Sequence, residues 1–154
     1  MDSPKIATLG ELRKTDYKSE SIQQELAGNL RQRLIKGLST FDGLIGYENT
    51  VIPDIERALL SGHNINLLGL RGQAKTRIAR QMTELLNEWI PIVDGSEIND
   101  CPLSPISQEA KELISKKGEQ TPIKWLHRHD RFFEKLATPD VTVADLIGDV
   151  DPIK

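Results

Sequence analysis

Apolar residues recur near the start of the chain at the spacing of a helix. Ile22, Leu26, Leu30, Leu34 and Leu38 share one face of a 3.6-residue repeat, behind Ser21 and Gln24, whose S-x-x-Q order is a capping box. The pattern predicts an amphipathic packing helix that ends near Gly37. Residues 1–18 ahead of it are polar and predict a loosely held lead-in. Residues 41–47, FDGLIGY, mix apolar side chains with two glycines in a turn-like stretch. A second helix is predicted over 50–61. Pro53 fits its first turn, where a missing N–H costs nothing, Ile52, Ile55 and Leu59 face one way, and Gly62 is placed to end it. Residues 64–68, NINLL, predict a short strand, residues 77–89 a helix with Ile78, Met82 and Leu85 on one face, and residues 90–93 a second strand closed by Asp94 and Gly95. Pro91 points to an edge or an early position in that strand. Beyond a proline-containing loop at 101–105, helices are predicted over 107–117 and 123–136, then a break at 138–140 and a short helical turn at 143–147.

The order helix, strand, glycine-rich turn, helix, strand is the α/β alternation of a parallel sheet covered by helices. A chain of 154 residues fits one ordinary domain, and 38% hydrophobic with 28% charged residues is enough to build a core. Cys101 is the only cysteine, which excludes an internal disulfide. No apolar run approaches the roughly 20 residues that span a bilayer, and MDSPKIATLGELRK lacks the apolar stretch of a signal peptide. A soluble, cytoplasmic protein without a membrane partner is expected. The net charge is −3, and the basic residues between Arg13 and Lys36 are interleaved with Asp16, Glu20 and Glu25. That mixture reads as a solvated helical face, and no nucleic-acid partner is expected.

The candidate chemistry lies in Gly69-Leu70-Arg71-Gly72-Gln73-Ala74-Lys75-Thr76. The phosphate-binding pattern called Walker A is G-x-x-x-x-G-K-[ST]. Gly69, Lys75 and Thr76 match it, and Ala74 stands at the second glycine. An anionic triphosphate needs several backbone N–H donors turned inward and a cation close by. A loop that opens a helix supplies both, because the first-turn amides are free and the helix dipole is positive there. Gly72 can take a positive φ to curl the loop. Ala74 still offers its N–H, and is expected at negative φ. Lys75 would contact the β- and γ-phosphates of ATP, and Thr76 would offer its hydroxyl to Mg²⁺.

GLRGQAKTR, through Arg77, resembles the phosphate loop of the AAA+ clade that holds magnesium chelatase subunit I and the MoxR ATPases, whose members often carry Ala before the lysine. FDGLIGYENTVIPDIERALL resembles the N-terminal box and first helix of that clade, and TPDVTVADLIGDVDPIK the stretch ahead of its Walker B strand. The resemblance covers roughly residues 40–154. It implies a P-loop NTPase three-layer αβα core truncated before Walker B. Residues 1–40 are then an N-terminal helical extension, and residues 41–154 the N-terminal portion of the nucleotide-binding domain. It also implies that Ile45, Gly46 and Tyr47 line the adenine pocket. The complete proteins of the clade hydrolyse ATP as rings, usually hexamers, acting on a protein substrate or with co-chelatase subunits.

A Walker B strand is four apolar residues followed by Asp-Glu, and no such run occurs; IPIVDGSE at 90–97 has an Asp without the adjacent Glu. The catalytic residue is therefore unassigned. The expectation is a piece of a longer ATPase that binds ATP and does not turn it over alone. Two other readings use the same loop: a small-molecule kinase, with Arg128 and Arg131 as lid arginines, and a scaffold with a vestigial loop. His127 and His129 invite a metal reading, but i and i+2 do not share a helical face. Asp145, Asp149 and Asp151 lack the order of a calcium loop.

Overall fold

The computed structural model of the chain describes residues 4–136 and 138–148. Six α-helices occur among them: α1 (Leu9–Arg13), α2 (Ile22–Ile35), α3 (Val51–Leu60), α4 (Lys75–Met82), α5 (Gln108–Lys117) and α6 (Ala144–Ile147). Two strands, β1 (Trp89–Val93) and β2 (Ile123–His127), pair antiparallel with Trp89 opposite His127 and Val93 opposite Ile123.

Local signals place several of these elements where the sequence predicts them. Ser21 accepts from Gln24 N while the Gln24 side chain accepts from Ser21 N, so the capping box of α2 is closed in both directions. Ser107 caps α5 in one direction, accepting from Ala110 N. Gly62 follows α3 at φ +69, a left-handed stop that a side chain would resist. The turn at 143–147 is α6, and Asp149 and Asp151 lie outside the described residues.

Four expectations are corrected. Residues 1–18 are not all loosely held. Leu9 and Leu12 of α1 are fully buried, because this segment zips onto the start of β2: Leu9 N donates to Thr121 O and Ile123 N to Ala7 O, each at 2.9 Å. Trp125 Nε1 donates to Ile6 O beside them. Residues 64–68 form no strand. Ile65 and Leu67 turn half-buried onto the core while Asn64, Asn66 and Leu68 stay exposed, so the alternation is there. Among the described residues, however, no extended segment lies alongside to supply a ladder, and β1 pairs with β2 instead of joining a parallel sheet.

The helix expected over 77–89 starts earlier and stops at Met82, passing into a 3-10 turn at Thr83–Leu85. Side chains of α2 compete for its continuation: Asn29 Nδ2 donates to Leu85 O and to Asn87 Oδ1, and Glu25 Oε1 accepts from Asn87 N. Finally, the predicted helix over 123–136 is β2 followed by a 3-10 turn at Arg128–Arg131. The hydrogen bonds to β1 outweigh the helical spacing of its apolar residues.

One core sits behind the glycine-rich loop. Leu30 from α2, Phe41 and Leu44 from the 41–47 turn, Ile55 and Leu59 from α3, Ile78 from α4 and Leu85 form it. Residues ahead of 41 thus share the core with those after it. The far side is tied on by Arg131, which donates to both oxygens of buried Glu25 at 2.7 and 2.6 Å. Removing one partner of a buried pair strands a charge, at a cost of about 3–5 kcal/mol, whereas a well-packed apolar replacement of both is often neutral. In urea unfolding, Arg131→Met is expected to lose stability in that range, and Glu25→Leu/Arg131→Met to recover most of it. Equal losses in the single and double variants would contradict the ion pair as the tie.

Candidate functional site

The chain from residue 69 to residue 76 curls into an exposed loop and enters α4 at Lys75. Gly72 sits at φ +82 with open space where a Cβ would be, as the curl requires. Ala74, expected at negative φ, is at φ +54 and ψ +13, the left-handed region. Such a backbone costs a non-glycine residue about 1–2 kcal/mol. Ala74 O accepts the first intrahelical bond of α4, from Ile78 N at 2.9 Å. The amides of Lys75, Thr76 and Arg77 therefore precede the ladder. No side chain caps them, and no acidic residue lies in the first turn.

Two side chains fold back across the loop. Lys75 Nζ donates to Gly69 O at 2.8 Å and to Leu70 O at 2.5 Å, so the ammonium spans the mouth. Gln73 Oε1 accepts from Leu70 N at 2.8 Å. A Cβ on Gly69 would lie 2.1 Å from that oxygen, so the glycine makes room for the Gln73 carboxamide. Arg71 and Thr76 are exposed, and Leu70 is 77% exposed. A shallow depression of about 470 Å³ is lined by residues 71–77. A larger cleft of about 830 Å³ adjoins it through Thr76 and Arg77 and is walled by Arg80, Glu84, His129 and Phe132. In that cleft, Glu84 bonds His129 Nε2 at 2.8 Å and pairs with Arg128 at 2.6 Å. The hydrogen bond from His129 and the charge of Arg128 hold its carboxyl below the ordinary range against partial burial.

The 41–47 turn is bound to the same helix. Asp42 O accepts from Arg77 Nη2 at 3.0 Å and from Gln81 Nε2 at 2.9 Å, and Asp42 N donates to Gln81 Oε1 at 3.1 Å. Of the three residues assigned to a base pocket, Tyr47 is half-buried against the core, where Ala74 also packs. Ile45 is 88% exposed, and Gly46 is exposed at φ +86. Tyr47 O accepts from Thr50 N and Ile52 N and so opens α3. The structure thus joins both predicted segments to one helix through Asp42, Gly43, Arg77 and Gln81. Of these, only Arg77 stands out in the loop motif. The spacing of Arg77 and Gln81, four apart on one helical face, is the signal for the rest. A second signal is charge: residues 57–83 include Arg57, Arg71, Lys75, Arg77 and Arg80 and no Asp or Glu.

His127 and His129 rings meet edge-on at 4.7 Å. Among the described residues, no group of three His, Cys, Asp or Glu side chains could hold a metal ion. A Mg²⁺ carried on phosphate oxygens asks only one hydroxyl of the protein, and exposed Thr76 in the first turn of α4 fits that demand. Asp94, in the stretch closest to a Walker B pattern, follows β1, pairs with Lys124 at 3.8 Å and lines a different cavity. No helix among the described residues is long and apolar enough to cross a membrane.

The chain matches no protein-family model, no curated protein and no solved structure. Residue chemistry and geometry therefore carry the functional reading. For the loop itself, Ala74→Gly is expected to stabilise the chain by about 0.5–1 kcal/mol. Relief of the left-handed strain exceeds the roughly 0.4–1 kcal/mol that glycine's added freedom takes back. Denaturant midpoints measure it; a loss of stability would place Ala74 outside the left-handed region.

Proposed function

We propose that the chain is the ATP-binding part of a AAA+ ATPase similar to magnesium chelatase subunit I and the MoxR proteins. The observation that carries this reading is the start of α4, where uncapped amides and the Lys75 ammonium converge on one exposed loop. Unpaired first-turn donors and a positive helix end favour a polyanion. Arg57 and Arg80 of the cation-rich run are paired with Asp54 and Glu134, while Arg71, Lys75 and Arg77 line the loop and raise its local potential in a chain that is acidic as a whole. The fold proposed for the complete protein is a P-loop NTPase core. In this reading, ATP lays its phosphates over residues 69–76 and its base toward 45–47. Mg²⁺ supplies charge neutralisation at the phosphates with Thr76 as its protein ligand. A homo-oligomeric ring acting on a protein substrate or a co-chelatase subunit is part of the same proposal.

The second reading, a non-catalytic loop, is favoured by Gln73, whose carboxamide already satisfies Leu70 N. Titration separates the two readings. A charge-assisted hydrogen bond contributes about 1.5–3 kcal/mol, so Lys75→Ala is expected to weaken ATP binding roughly 10- to 100-fold. An unchanged titration curve would remove Lys75 from the site. Because the sequence has no Walker B run, binding is expected without steady phosphate release. Turnover that Lys75→Ala abolishes would overturn that expectation.

A further inference from the structure

We propose that Gln81, with Arg77, is a positioning residue that sets recognition of the nucleotide base by holding the backbone of Asp42. This rests on the ATP-binding reading above and names the device that joins its two halves. The Gln81 carboxamide makes both bonds a backbone neighbour would make: it donates to Asp42 O at 2.9 Å and accepts from Asp42 N at 3.1 Å. Two bonds to one residue fix its peptide planes, where a single bond would leave a pivot. Arg77 Nη2 takes the second lone pair of the same carbonyl at 3.0 Å.

Gly43 is shaped for this contact twice over. It lies at φ +64, and a Cβ there would stand 2.6 Å from Arg77 Nη2. Phe41 and Leu44, on either side, are buried in the core with Ile78 of α4. The near end of the turn therefore has an apolar anchor and a polar clamp, both on α4. Its far end, Ile45 and Gly46, is exposed. Asp42 is thus one tie that places residues 45–47 relative to Lys75 and Thr76, beside the core contacts of Phe41, Leu44 and Tyr47. Releasing Gln81 loosens the base end of the site and leaves the Lys75 contacts at the phosphate end as they were.

The test titrates the full chain with Mg²⁺-ATP and with Mg²⁺-tripolyphosphate, which has the phosphates and no base. For Gln81→Leu, ATP binding is expected to weaken about tenfold and tripolyphosphate binding to stay within about twofold, the scale of one or two lost hydrogen bonds. Gln81→Glu keeps the acceptor for Asp42 N and loses the donor, and is expected to fall between. Equal losses for both ligands, or no loss for ATP, would overturn the positioning role. If the wild-type chain binds neither ligand, the ATP reading itself fails and takes this role with it. Should Gln81→Leu not fold, Gln81→Met, which keeps the length of the side chain and loses both bonds to Asp42, carries the same expectation.

Discussion

The amides that open α4 have no side-chain oxygen to receive them, and the arrangement around the loop follows from that unmet demand. Helices α1, α2 and α5 each begin on a Thr or Ser whose side chain caps the first turn. Helix α4 begins on Ala74, which cannot cap and is held left-handed. Lys75 and Arg77 then place cations at the positive end of the helix dipole, where each is unfavourable by a few tenths to about 1 kcal/mol. Strain, uncapped donors and crowded cations together lower stability locally. An anion in the loop would reverse all but the first of these. Strain and unmet donors gathered in one place are what make this loop a candidate site.

What keeps the loop from relaxing is the core directly behind it. Ile78 is 1% exposed and fixes the first turn of α4 against residues of α2, α3 and the 41–47 turn. Its neighbours Arg77 and Gln81 hold the same turn by its backbone. One short helix thus carries the glycine-rich loop at its start and a second candidate segment along its side. The β1–β2 ribbon and the buried Glu25–Arg131 pair brace α2 and the end of the α4 segment from the far side, through Asn87 and Leu85.

Elements with local signals were legible in the sequence: the capping box of α2, the serine start of α5, the glycine stop of α3 and the loop at 69–76. Where the deciding contact lies far along the chain, local reading fails. Residues 123–127 are too short a stretch to separate helix from strand by spacing; they pair with a strand some thirty residues earlier, and strand preference is largely a matter of such partners. Within the polar lead-in, residues 6–12 hold Ile6, Leu9 and Leu12, whose anchors, Thr121 to Trp125, are more than a hundred residues away and so leave no local sign. At Ala74 the limit is different: the motif fixes which residues form the loop and leaves open how the backbone turns into α4. Gln81 lies outside both motifs, and the packed turn is what reveals its pairing with Asp42.

Amide resonances of the full chain, followed while Mg²⁺-ATP is added, test the central claim most directly. The account predicts saturable shifts concentrated in residues 69–77, with a second, smaller group at 45–47. Shifts confined to other surfaces, or none up to millimolar ATP, would contradict it.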